Sequence, residues 1–159
     1  MPRITRKLLM AVVALATLAG APLTLSHLDD KQVQQSYRQS WFALVALNFG
    51  PMASTVKGEI PWNDEMMQGW ATDLSGLMDL NIMRGFGEGS EKGTTRAKPE
   101  IWQNKEDFGN KMGDLKSAVS ALQSAVDGGD REAIAGAVGE TGKACKACHD
   151  EYKSKDYLY

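Results

Sequence analysis

Between residues 108 and 126 the apolar side chains Phe108, Met112, Leu115, Val119, Leu122 and Val126 recur at spacings of 4, 3, 4, 3 and 4. That alternation puts all six on one stripe of an α-helix, in the manner of a bundle seam. A helix with so continuous a stripe has to bury it against other elements, and the rest of the chain must supply them.

Three further stretches carry helical periodicity. In the first, Arg38, Phe42, Val45 and Phe49 lie on one line, with Val33, Tyr37, Trp41 and Leu44 beside it. Gly50-Pro51 should kink or interrupt this helix, because proline lacks the amide proton and clashes with the preceding turn. Pro61-Trp62-Asn63 turns into a second helix, capped by Asn63 or Asp64, with Met67, Trp70, Leu74 and Leu77 on its apolar side and an end near Met83. The stretch "GFGEGSEKGTTRAKP", residues 85–99, reads as a glycine-rich connection without the spacing of a phosphate-cradling loop.

Asp127-Gly128-Gly129-Asp130 closes the third helix and caps a fourth, so those two should be antiparallel neighbours. The fourth carries Ile134, Val138, Thr141, Cys145, Cys148 and Tyr152 on one side, and its Gly136, Gly139 and Gly142 leave room for a close approach. With no β-type alternation and no internal repeat, the expected class is all-α: one antiparallel four-helix bundle. An apolar content of 43% over 159 residues suffices for a single core.

The first residues read as an export signal. Arg3, Arg6 and Lys7 precede the apolar run Leu8 to Leu18, which ends in the small residues Ala19, Gly20 and Ala21. The run is shorter than the roughly 20 residues of a membrane span, so no stable membrane anchor is expected. Cleavage after Ala21 or Ser26 divides the chain into a signal, 1–26, and a mature domain, 27–159. It removes three basic residues and no acidic one, leaving 15 basic against 20 acidic. That acidic balance gives no footprint for nucleic acid.

The chemistry concentrates in "CKACHDEYK", residues 145–153. In a C-x-x-C-H pattern the thiols of Cys145 and Cys148 can form thioethers with haem vinyl groups, and the adjacent His149 imidazole can ligate the iron. A disulfide or redox dithiol is an alternative, although such pairs usually open a helix in a βαβ context. A zinc site is another, and it requires a fourth ligand. The only other histidine, His27, lies at the signal boundary. The methionines Met52, Met67, Met78 and Met112 are candidate iron ligands whose ordinary role is core filling.

Set inside the last helix of a bundle, this motif resembles that of the cytochromes c′. The resemblance spans nearly all the mature chain: "YRQSWF" on the first helix, "GFG" after the second, "KPEIW" before the third and "CKACHDEYK" on the fourth. It implies one covalent haem c. It also implies five-coordinate, high-spin iron, with Phe42 standing where six-coordinate relatives place a ligating methionine, and Phe86 helping to close the distal pocket. Arg38, one turn before Phe42 on the same face, is expected to reach a haem propionate. Gln39 is a further propionate candidate, and Lys98 and Glu100 are expected near the haem edge. Lys153 occupies the place of an arginine that in many relatives contacts a ligand on the proximal side; lysine keeps the charge but not the planar fork.

The function these features imply is a periplasmic haem protein that binds nitric oxide and carbon monoxide at an apolar, Phe-blocked site. Nitric oxide is expected to break the His149 bond as well. A periplasmic electron carrier, with an unknown redox partner, is the alternative. An enzyme is not expected, because a peroxidase would need a distal histidine and arginine pair. The family also implies a homodimer formed through the first two helices.

Overall fold

The computed structural model describes residues 32–158; the expected signal segment and His27 lie outside them. Five α-helices follow in order: α1 (Val33–Val56), α2 (Asp64–Leu77), α3 (Glu100–Gln103), α4 (Lys105–Gly128) and α5 (Arg131–Tyr152). A 3-10 helix, Ile82–Phe86, lies between α2 and α3. The four longer helices form an antiparallel bundle in which α4 packs along α5 and α2 packs against both α1 and α4. Among the described residues the only β pairing is an isolated bridge between Ala97 and Lys153.

The seam predicted for α4 is buried at all six positions, from Phe108 to Val126. Phe108 and Leu122 are among the most deeply buried side chains of the protein. Burying one such residue contributes about 1.5–3 kcal/mol. Gly129 ends α4 with φ at 73°, a left-handed conformation that a side chain disfavours. Asp130 then caps α5, its carboxylate accepting from the Ala133 amide at 2.8 Å.

Several local expectations are corrected. The first helix runs through Pro51 without interruption, its last turn anchored by the fully buried Met52 and by Thr55, whose hydroxyl donates to the Pro51 carbonyl at 2.9 Å. Its buried stripe is Gln35, Arg38, Trp41, Val45, Asn48, Met52 and Thr55. Val33 and Leu44 are exposed instead. The second helix starts as expected, with the Asn63 side chain accepting from Met66. It stops at Leu77, short of Met83, and the chain re-forms as the 3-10 helix. Nothing approaches Gly136 or Gly139; of the three α5 glycines only Gly142 faces a neighbour, the Phe49 ring.

Candidate functional site

A cavity of about 500 Å³ opens between α1, α4 and α5. Its size falls in the usual range for ligand pockets, roughly 300–1,000 Å³. On α5 the wall is Cys145, Cys148, His149 and Tyr152; on α1 it is Phe42, Val45 and Phe49; from α4 come Phe108, Met112 and Leu115. Phe86 of the 3-10 helix and Ala97 close the remaining side. The helical spacing of 3 and 4 that buries Thr141 and Tyr152 also brings both thiols and the imidazole to one rim.

The thiols are free and half-buried. Burial raises the Cys145 thiol, and pushes Cys148 up to about 11 despite the opposing pull of Lys111. His149 is exposed by its surface yet shifted the other way, chiefly by partial desolvation of its ring and further by the cations Lys153 and Arg96. A neutral imidazole, the form that ligates a metal, is therefore favoured. Among the described residues no group of three or more His, Cys, Asp or Glu side chains gathers into a metal cage. The donors instead number two thiols and one imidazole on a single turn, facing a large apolar cavity. A flat, apolar macrocycle bearing its own metal and two thiol-reactive groups fits that set.

Arg38 also lines the cavity and is only 2% exposed. Its guanidinium donates to the Gly85 carbonyl at 2.8 Å, the Ser90 carbonyl at 2.7 Å and the Thr95 hydroxyl at 3.2 Å. It also lies over the Phe86 and Trp102 rings, 5.4 and 5.6 Å from their centres. Three of its five donors are thus committed to the loop that covers the cavity, which leaves two for a ligand. Burial lowers its pKa, partly offset by Glu91.

Gln39 lines the cavity, with its amide donating to the Thr94 carbonyl at 2.8 Å. Lys153 lines it too, as the residue that caps α5. Lys98 and Glu100, expected near the same edge, are not in the cavity wall. The Lys98 ammonium is drawn to the Glu151 carbonyl at 2.8 Å, and Glu100 opens the first turn of α3 in solvent. Of the four methionines, Met112 alone reaches the cavity; Met52, Met67 and Met78 are packed in the core.

Sequence reasoning missed Arg96, Lys111 and Tyr157, all of which line the cavity. Lys111 lay within the third periodic helix, and its place one residue before Met112 on the seam was a usable signal. Its ammonium sits 3.2 Å from Glu151 and 3.7 Å from Asp107. Asp107 in turn accepts from the buried Tyr152 hydroxyl at 2.6 Å, so α4 and α5 are tied together beneath Cys148. Arg96 and Tyr157 lie in irregular segments, where no periodicity assigns a face.

A family profile described as Cytochrome C′ matches residues 33–153. The chain is 38% identical to cytochrome c′ of Cereibacter sphaeroides, over 92% of this chain and 99% of that one. It is similar in structure to cytochrome c′ from Rubrivivax gelatinosus, with a TM-score of 0.73 and 37% identity over 77% of this chain and 96% of the other. A nitric oxide complex of a mutant of cytochrome c prime from Alcaligenes xylosoxidans is also similar, with a TM-score of 0.70 and 36% identity. That match covers 77% of this chain and 95% of the other.

Proposed function

This chain belongs to the cytochrome c′ family, whose prosthetic group is a covalent haem c, and on that premise we propose that it binds nitric oxide and carbon monoxide at a site obstructed by Phe42. The observation that carries the proposal is the shared cavity: the Cys145, Cys148 and His149 donors of α5 and the Phe42 ring of α1 line the same space. When bound, the haem supplies an iron with a coordination position for a diatomic gas. Cys145 and Cys148 would hold the ring by thioethers, and the neutral His149 imidazole would ligate the iron.

The remaining wall selects by what it withholds. Gln39 turns its amide toward the Thr94 carbonyl, and Arg38 commits three N–H groups to Gly85, Ser90 and Thr95, with the two that remain assigned to a haem propionate rather than to the gas. Phe42, Val45 and Phe86 then present apolar surface, and Phe42 has no lone pair to donate. A bound oxygen molecule gains little hydrogen bonding there, so nitric oxide and carbon monoxide are favoured. Phe42 packs edge-on against the buried Trp41, with ring centres 4.9 Å apart, which restrains the rotation that would clear the site. Slow carbon monoxide binding follows.

The reading also places the mature protein in the periplasm as a homodimer. The basic and apolar start of the chain supports the first. Leu44, Leu47 and Met66, exposed on α1 and α2, support the second. Electron transfer is the alternative, favoured by one feature: His149 is exposed, which would bring the ring edge close to a partner.

The optical spectrum of the reduced protein, before and after carbon monoxide and then nitric oxide, tests the proposal. Broad high-spin bands that respond to both gases are expected. Sharp low-spin bands indifferent to carbon monoxide would identify a sixth ligand, with Met112 the first candidate, and make electron transfer the better reading.

A further inference from the structure

Four cations stand in the cavity wall, Arg38, Arg96, Lys111 and Lys153, and among the described residues no aspartate or glutamate joins them there. Lys111 is answered from outside the wall by Glu151 and Asp107. The other three form no ion pair among the described residues. Arg38 is the extreme case: it is buried, and Glu91 lies near enough to raise its pKa without bonding to it. A buried guanidinium without a bonded counter-charge is unfavourable, so this wall calls for an anion.

Arg96 is half-buried at the same edge as Arg38. Its neighbour Thr95 accepts from the Arg38 guanidinium at 3.2 Å, so the two arginines reach the cavity from adjoining points. The Arg96 Nε donates to the Ser154 carbonyl at 2.9 Å, and a terminal nitrogen donates to the Lys155 carbonyl. Those two bonds fix the plane of the fork and leave three of its five N–H groups without a protein acceptor among the described residues. Lys153, by contrast, is exposed and keeps its ammonium in water.

We propose that Arg96 binds one propionate of the haem, as the counterpart of Arg38 on the other, so that a pair of arginines clamps both carboxylates of the ring. A haem brings two carboxylates, and the wall holds two unpaired guanidiniums to receive them. A planar fork already held by backbone carbonyls loses little freedom on meeting a carboxylate, which favours arginine over lysine in this role. The inference rests on the covalent haem of the family and is independent of which gas the iron takes.

The test compares the haem-loaded parent with Arg96→Gln, Arg96→Lys and Ser154→Pro. The last removes the amide that donates to the Arg96 carbonyl, and so loosens the chain end without touching the guanidinium. Resonance Raman bands of propionate bending read the contact, redox titration reads the charge, and a crystal structure of the haem-loaded parent locates both carboxylates. In the crystal, Arg96 is expected to donate to one propionate and Arg38 to the other. The propionate band should be displaced in Arg96→Gln, displaced less in Arg96→Lys and unmoved in Ser154→Pro. At a fixed potential Arg96→Gln should favour the ferric state roughly threefold or more, because loss of a nearby cation eases the extra positive charge on the iron. A propionate band identical in Arg96→Gln and the parent overturns the clamp even if the potential falls, since proximity of charge alone produces such a fall. Equal displacement in Ser154→Pro and Arg96→Gln overturns it too, by assigning the effect to the pairing of the chain end. So does a parent crystal structure with Arg96 away from both propionates, a result that stands whether or not any variant folds. A parent that carries no covalent haem overturns the premise, and the clamp falls with it.

Discussion

Arg38 on α1 donates to the Gly85 carbonyl at 2.8 Å, and that bond fixes how closely the 3-10 helix lies on α1. A Cβ on Gly85 would stand 3.0 Å from the Arg38 Cβ and 3.2 Å from the Gln34 carbonyl, so the approach itself needs glycine. The guanidinium makes further bonds to Ser90 and Thr95, and one side chain thereby holds the whole loop over the cavity.

Replacing Arg38 by alanine should cost about 2–4 kcal/mol, because it strands acceptors in a site largely closed to water. Arg38→Lys should recover only part of this, since an ammonium cannot span three acceptors as a planar fork does. Urea unfolding gives the answer through the midpoint, with the slope unchanged. An alanine variant as stable as the parent would mean the loop is held by its own turns.

Tyr152 predicts a change at alkaline pH. Burial first, and the bond to Asp107 second, hold its phenol well above the ordinary value near 10. Above that value the unfolded chain releases the proton while the folded chain keeps it. The contribution to stability is therefore complete below about pH 10 and declines as pH rises toward the elevated native value. Thermal midpoints between pH 8 and 12 should fall more steeply in the parent than in Tyr152→Phe above pH 10. At neutral pH the variant should be less stable by a few degrees, having lost the bond to Asp107. Parallel curves across the whole range would rule out a native Tyr152 shift.

At the link between α4 and α5, Gly129→Ala should cost about 1 kcal/mol, because φ there is 73° and alanine resists the left-handed region. Asp130→Ala, one residue on, should cost a similar amount, roughly 1 kcal/mol, by freeing the Ala133 amide. Circular dichroism melts measure both. A neutral Gly129→Ala would show that the link has another conformation available to it.

The seam of α4 was legible because its burial follows a single period, and so were the Asn63 and Asp130 caps, whose chemistry is local. The motif at 145–149 was equally local, since one helical turn carries all three donors to one rim. The α1 stripe was harder to read. Gln35, Asn48 and Thr55 are buried in it, each with its side chain bonded to a backbone carbonyl, and hydropathy alone assigns such residues to solvent. Arg38 shows the same limitation: its helical face was correct, but three of its bonds go to a loop whose path no periodicity gives. Lys98 falls outside the cavity wall because its ammonium turns to the end of α5, a contact between segments 53 residues apart. Arg96 and Tyr157 escaped notice for the same reason, as their roles exist only where two irregular segments pair.

Phe42 carries the most direct consequence for function. It is half-buried, lines the cavity and is braced by Trp41, so it stands at the cavity wall without being part of the deep core. Phe42→Ala in the haem-loaded protein should accelerate carbon monoxide binding about tenfold or more, which corresponds to lowering the barrier by at least ~1.4 kcal/mol. Phe42→Met should act in the opposite sense. On the proposed reading, in which the parent is high-spin, a thioether at this position supplies the lone pair that phenylalanine lacks and should give sharp low-spin bands and suppress carbon monoxide binding. The two variants together separate bulk from coordination, because alanine removes the obstruction and methionine replaces it with a ligand. If carbon monoxide binds Phe42→Ala and the parent at one rate, and Phe42→Met stays high-spin, then Phe42 does not face the iron and is simply part of the α1 packing surface.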